Sequence, residues 1–197
     1  MLAQDFIDWW FAPWDYASAA APLPAMDRLG LRDGYRVWCG RAGIAAALPA
    51  HFDPAWQAMA AIRGDALLAG ARLFGGLIAA RAQRHDTLAE LGIAERKWCV
   101  GVAATQPLHG WPGLQFRAAD TIELRGLSEL ACWLEADFPG LWPRLQLTLP
   151  RATAARIEGL LAGAAAAAPE PSALRAQRCW NLCLRRAAGS YATFDWS

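Results

Sequence analysis

Apolar side chains recur every three to four residues along much of the chain, a spacing that is typical of amphipathic helices. The strongest pattern predicts a helix over 65–84, with Asp65 placed to cap its first turn. The apolar positions that repeat at helical intervals within it are Leu67, Ala71, Phe74 and Ile78. Gly70, Gly75 and Gly76 would each cost on the order of 1 kcal/mol relative to alanine. We therefore expect another element to pack closely against this helix.

Local start and stop signals predict further helices on both sides of it. Asp53 followed by Pro54 is typical of a helix start, because aspartate caps well and proline fits the first helical position. Proline and glycine residues predict a loop over 105–118, and residues 28–50 are expected to be irregular or partly helical. The remaining predicted helices cover 54–63, 86–92, 94–103, 128–138, 153–167 and 172–187, with Ser128 and Ser172 opening two of them.

One segment alternates polar and apolar residues as a strand does. The alternation runs over six residues from Arg144 to Leu149, and Pro150 ends it. An isolated strand needs a pairing partner, and residues 120–125 alternate too, although they could equally belong to the next helix. The pattern as a whole predicts a mainly α protein, with a single globular domain over 1–197 and at most a short two-stranded β element near 120–150.

Tryptophan is unusually frequent, with eleven in 197 residues. Its side chain buries a large apolar area and keeps one N–H group that needs a partner, so it suits both core packing and protein recognition. The aromatic segment 1–25 and the helix and tail over 169–197 are predicted to be appendages of the domain. Because these segments are less suited to a central core, they supply the candidate protein-interface residues Trp9, Trp10, Trp14 and Trp196.

The composition restricts the partners and the compartment. Hydrophobic residues make up 55% of the chain, charged residues 19%, and the formal net charge is +1. These values argue against a disordered chain and against a nucleic-acid partner. The first residues lack the basic start of a secretory signal, and the longest apolar stretch, 66–80, is too short to span a bilayer. We therefore expect a soluble cytosolic protein that does not insert into the membrane.

Residues that could carry catalysis are sparse. His85–Asp86 is an HD dipeptide at a helix end, but the other two histidines, His51 and His109, fall in predicted loops. A positively charged histidine near a helix C-terminus is favourable on structural grounds alone. The sequence contains no nucleophile, zinc-protease or dinucleotide-binding motif. We therefore expect no enzyme activity, no cofactor, no metal site and no small-molecule substrate.

Three other groups of residues receive a structural interpretation. The five scattered cysteines lack metal-site spacing and are expected to be buried thiols. Carboxylates such as Glu129 and Glu135 are more typical of a solvated helix face than of a catalytic pair. A basic stripe near the C-terminus indicates a solvated face or a site for an acidic protein partner, and its members are Arg175, Arg178, Arg185 and Arg186, with Trp180 beside them.

Three stretches, taken in order, resemble one protein family. The first is Phe11-Ala12-Pro13 followed by Tyr16 and Leu23-Pro24, the second is the apolar, glycine-containing run from Leu67 to Arg84, and the third is Ala131–Leu134 followed by Trp142–Pro150. In this order and spacing the chain resembles the SctK group of bacterial type III secretion proteins, which includes the YscK and PscK proteins. The resemblance covers most of the chain apart from 28–50 and the tail after 168.

The resemblance implies a largely α-helical, non-enzymatic adaptor of the injectisome sorting platform in the cytoplasm of a Gram-negative bacterium. Such an adaptor would link the cytoplasmic domain of the SctD-type inner-membrane ring protein to the SctQ-type pod protein, at the base of the secretion apparatus. Alternatives unrelated to this family are a helical small-molecule-binding protein and an HD-like hydrolase. A secretion chaperone is a further alternative, although such chaperones are usually acidic and contain strands.

Overall fold

The computed structural model describes residues 2–18, 28–62, 64–164 and 173–192, and all regular structure in these ranges is helical. The α-helices are α1 Gln4–Phe11, α2 Arg28–Ala42, α3 Gly64–Arg81, α4 His85–Leu88, α5 Ile93–Thr105, α6 Ile122–Asp137, α7 Leu141–Leu145, α8 Arg151–Leu161 and α9 Ala173–Ala192. Short 3₁₀ helices cover Pro13–Asp15, Pro54–Ala61 and Gln146–Thr148. The prediction of a mainly α protein is confirmed.

The chain divides into two compact units. Unit 1 comprises Met1–Ile62 and Leu134–Ala154, and unit 2 comprises Arg63–Trp133 and Ala155–Ser197. The boundaries therefore fall inside α6 and α8. That the chain is a single domain over 1–197, with appendages at its two ends, stays a prediction, because a division by contacts does not measure whether the units unfold together.

The core of unit 1 is built on aromatic side chains. Phe6 and Trp10, four residues apart on one face of α1, are buried, and each ring centroid lies 5.6 Å from that of Phe138. Phe52 stacks on the same ring at 4.5 Å. With eight residues, α1 is too short to be stable alone, so its structure depends on this burial.

Arg144 lies fully buried in unit 1, where its guanidinium carbon is 3.5 Å from the centroid of the Trp10 ring. The group donates hydrogen bonds to the Tyr35 hydroxyl at 3.0 Å and to the Ala45 carbonyl oxygen at 2.7 Å. Burial raises the pKa of Tyr35 to about 12, so its neutral hydroxyl can accept from Arg144 while donating to Ala46 O at 2.7 Å. Within the described residues no carboxylate forms an ion pair with Arg144, and oxygen dipoles and a π face take that role.

The strand predicted over 144–149 is helical. Residues up to Leu145 complete α7, and Gln146–Thr148 continue as a 3₁₀ turn in which the Thr148 hydroxyl donates to Leu145 O at 2.7 Å. The alternation was misleading because Arg144, read as a solvent-facing position, is the most buried charged residue described. Residues 120–125 belong mostly to α6, the second of the two readings open for them.

Unit 2 is organised around α3, against which α5 and α9 pack. The glycines of α3 allow close approach: a Cβ on Gly75 would lie 2.5 Å from Ile122 O, and one on Gly70 would lie 2.9 Å from Leu184. Gly126 of α6 is tighter still, since its Cβ would lie 1.9 Å from Ala71 O. The expected close packing against α3 is therefore confirmed.

Several helices begin or end at residues other than those predicted from the sequence. The prediction that Ser128 opens a helix is wrong, because α6 already begins at Ile122 and the Ser128 hydroxyl donates to Leu124 O in mid-helix at 2.8 Å. Asp53 does cap the next element by accepting from Ala55 N at 2.9 Å, although that element is 3₁₀. Ser172 and the rest of 165–172 lie outside the described residues. Among the helices that the structure describes, none is both long and apolar enough to cross a lipid bilayer.

Candidate functional site

The tryptophans predicted as interface anchors differ in exposure. Trp10 has no exposed surface, because Phe6, Phe138 and the Arg144 guanidinium cover it. The expectation that Trp10 is available to a partner is wrong, since an aromatic segment near a chain end can supply a core as well as a surface. Trp196 lies outside the described residues.

Trp9 and Trp14 remain partly accessible. Trp9 stacks on Tyr16 with ring centroids 4.7 Å apart, and Trp14 meets Tyr35 and Trp38 edge-on, each at 6.2 Å. Both side chains are half-buried, so each presents an edge to solvent while packing in unit 1. Their role in an interface stays a prediction.

Helix α9 has two opposite faces. Its inner face is buried, and Trp180 meets the Phe74 ring of α3 edge-on at 5.6 Å. Residues spaced three or four apart line the solvent side, and we name this set the α9 outer face: Leu174, Arg178, Asn181, Leu182 and Arg185. Leu174 is 51% exposed and Leu182 is 38% exposed, so two large apolar side chains face solvent beside two arginines.

The charge on this face is not balanced within the helix. No aspartate or glutamate occurs in α9, whose arginines include Arg175, hydrogen-bonded through its guanidinium to Pro107 O at 3.2 Å. Arg178 and Arg185 form no ion pair within the described part of the chain. Arginine is enriched at protein interfaces, and here it lies beside two exposed apolar side chains. Of the basic stripe predicted from the sequence, Arg178, Arg185 and Arg186 are exposed, whereas Trp180 is buried on the inner face of α9.

The cysteines show no reactive character. All five are buried thiols, as the sequence predicts, and none of the five forms a disulfide. Burial raises the pKa of Cys99 to about 12 and that of Cys179 to about 11, and it raises the pKa of Cys183 well above its usual value. These thiols therefore stay protonated near neutral pH, where a nucleophile or metal ligand would need the thiolate.

The candidate catalytic residues remain dispersed. His51, His85 and His109 are exposed, as is Asp86. In the ranges that the structure describes, no three His, Cys, Asp or Glu side chains come together as metal ligands could. An HD-like hydrolase therefore gains no support from the geometry around His85.

The prediction that Glu129 lies on a solvated helix face is wrong. Glu129 is 3% exposed, whereas Glu135 faces solvent, so Glu129 does not belong to a solvated helix face. The signal was present in the neighbouring positions, because the run from Leu127 to Leu134 is otherwise nearly all apolar or small and a helix that is apolar all round is a buried one.

Comparison with known proteins does not assign a function, so the described geometry is what a proposal of function can use. The described site features are an exposed arginine and leucine surface on α9 and a buried carboxylate on α6. No family model matches the chain, and no match is found among the curated proteins or among the solved structures.

Proposed function

We propose that this protein is a non-enzymatic cytoplasmic adaptor of the type III secretion sorting platform. In this role it links the cytoplasmic domain of the SctD-type ring protein to the SctQ-type pod protein. The proposal starts from the resemblance of three stretches of the chain to the SctK group, and the mainly α fold is compatible with it. It involves no cofactor and no direct insertion into the membrane.

The observation that best supports a protein-binding role is the α9 outer face. An adaptor needs surface that its own fold leaves uncovered, and here Leu174 and Leu182 remain exposed although α9 buries its other side fully. Arg178 and Arg185 add positive charge with no internal counterpart among the described residues. A partner that places acidic side chains around an apolar patch would satisfy both features.

Co-purification of the full chain with the purified SctD cytoplasmic domain and with the SctQ protein tests the proposal. We expect a complex with at least one of them, and absence of binding to both folded partners would refute the adaptor role. The double variant Arg178→Glu/Arg185→Glu should weaken the complex by about tenfold or more, because it replaces attraction by repulsion.

A matched control separates this surface from general charge effects. Arg36 and Arg151 are also exposed, and the variant Arg36→Glu/Arg151→Glu changes the net charge by the same amount. We expect it to bind like the wild type, because neither arginine belongs to the α9 outer face. Equal weakening by both double variants would show that net charge, and not the α9 outer face, determines binding.

A further inference from the structure

Unit 2 contains a cavity of about 220 Å³ among the end of α3, α4, the segment before α6 and α6 itself. Apolar side chains form much of its wall, including Ile78, Leu114 and Phe116. Four polar or charged residues also line it: Arg84, Thr87, Arg125 and Glu129. An apolar wall with a few polar groups is the usual composition of a small-molecule site.

Glu129 has an oxygen with no partner in the described protein. Its Oε2 accepts a hydrogen bond from Trp111 N at 2.6 Å, and its Oε1 makes no hydrogen bond to a described residue. Glu129 as a residue is 3% exposed, and burial raises the pKa of its carboxyl group to about 8 although the hydrogen bond from Trp111 N and the Arg84 charge oppose the rise. A Cβ on Gly110 would lie 2.8 Å from Oε1, so glycine at this position keeps the oxygen accessible from the cavity.

Thr87 is a second buried polar group at the cavity. It is 3% exposed, and its hydroxyl makes no hydrogen bond to any residue that the structure describes. The chain reaches it through a tight helix end, where Gln83 adopts a positive φ of 55° and Arg84 N donates to Ala79 O at 2.9 Å. Glu129 and Thr87 thus place two hydrogen-bonding groups at the same cavity, where a bound molecule can reach them.

Arg84 and Arg125 bring positive charge to the lining of the cavity, in addition to the Glu129 carboxyl group. Arg84 is exposed and forms no ion pair among the described residues. Arg125 is fixed by hydrogen bonds to Asp120 O at 2.9 Å and to Arg117 O at 3.0 Å, and it lies over the Phe116 ring at 5.0 Å. The cavity thus combines one carboxyl group, one hydroxyl group and two guanidinium groups with an apolar wall.

We propose that this cavity binds a small zwitterion with an apolar body, which is the chemistry of an apolar α-amino acid. Its ammonium group would donate to Glu129 and Thr87, and its carboxylate would face Arg84 and Arg125. Its side chain would pack against the apolar wall at Ile78 and Leu114. This binding site is independent of the adaptor function and does not require the α9 outer face.

Calorimetric titration of the full chain with L-leucine tests this directly, with two analogues as controls. Leucinamide lacks the carboxylate and N-acetyl-leucine lacks the ammonium group, so each should bind about tenfold or more weakly than L-leucine. Equal binding of all three compounds would show adventitious apolar binding only. No heat and no rise in melting temperature with millimolar L-leucine would overturn the proposal.

Variants assign the two ends of the ligand. Glu129→Gln keeps the shape of the side chain and should abolish the preference for L-leucine over N-acetyl-leucine. Arg84→Ala should remove the preference for L-leucine over leucinamide, while Glu158→Gln, a change of an exposed carboxylate on α8, should leave both preferences intact. Unchanged preferences in folded Glu129→Gln protein would place the ligand elsewhere.

The pH dependence gives an independent readout. Pairing with the ammonium group requires ionised Glu129, and with a pKa of about 8 the ionised fraction rises about 50-fold between pH 6 and pH 8. The ammonium group of L-leucine stays charged over this range, so binding should tighten by a similar factor. Binding that weakens or stays constant would contradict a role for the Glu129 carboxylate.

Discussion

Replacing Glu129 by glutamine should change how the stability of the protein depends on pH. In the folded protein burial raises the pKa of this carboxyl group from 4.5 to about 8, and the hydrogen bond from Trp111 N only partly opposes that effect. The folded state therefore binds the proton more tightly than the unfolded state does. Stability from this group is complete below pH 4.5 and is lost progressively until the pH exceeds about 8.

The magnitude follows from the two pKa values. At about 1.4 kcal/mol for each pH unit, the wild type should lose about 2.5 kcal/mol of unfolding free energy between pH 5 and pH 7 from this group alone. A further loss of about 1.4 kcal/mol is expected between pH 7 and pH 9. Glu129→Gln has no proton to lose, so the difference in stability between variant and wild type should grow with pH by these amounts. The comparison is made as a difference because other carboxyl groups, such as Asp120 and Glu123 with lowered pKa values, titrate equally in both proteins.

Urea denaturation at pH 5, 7 and 9, followed by circular dichroism, measures this difference. Glu158→Gln is the control, since that side chain is exposed and its loss should leave the pH profile unchanged. Parallel profiles for Glu129→Gln and the wild type would refute the reasoning, because they would mean that Glu129 is solvated in the folded protein.

Four further substitutions test the packing and the backbone geometry. Trp10→Ala should destabilise the protein by about 3 to 5 kcal/mol in denaturant titration, because a fully buried ring is removed. A loss below about 1 kcal/mol would mean that the Trp10 side chain is exposed. Gly126→Ala should prevent cooperative unfolding, since its Cβ would collide with Ala71 O, whereas Gly159→Ala on α8 meets open space and should gain about 0.5 to 1 kcal/mol. Gln83→Gly should raise stability by about 1 kcal/mol, because it relieves a left-handed backbone, and a lower melting temperature would contradict this.

The sequence predicts elements best where the signals are local. The helix over 65–84 was predicted from apolar spacing and from Asp65 as a cap, and α3 covers nearly all of that range. It begins at Gly64, so Asp65 lies in its first turn and is not its cap. The start of α6 was missed although Thr121 accepts locally from Leu124 N at 3.4 Å, because the alternation over 120–125 also fitted a strand. The first N–H group of the helix, that of Ile122, donates to the side chain of Glu90, 32 residues away. A cap supplied from another part of the fold leaves no mark in the neighbouring sequence.

Buried charge limits prediction in the same way. A polar residue in an alternating run indicates a solvent-facing position only when the fold offers it no partners. Arg144 has such partners in Trp10, Tyr35 and Ala45, which are distant in sequence. The alternating pattern over 144–149 therefore predicted a strand where the structure has helical turns. The cavity beside Glu129 was missed for a related reason, since its wall is assembled from α3, α4, α6 and a loop.

The contact between Arg144 and Trp10 has a consequence for synthesis on the ribosome. The two residues are 134 positions apart, and unit 1 needs both ends of this span. At typical translation rates of about 5 to 20 residues per second, the aromatic face of α1 has no Arg144 to pack against for roughly 7 to 27 seconds after it leaves the exit tunnel. During that interval unit 2 is being synthesised while Phe6 and Trp10 are exposed to nascent-chain chaperones and to other chains. Slowing translation after residue 62 should therefore increase aggregation of this protein, and a chaperone that holds aromatic segments should reduce it.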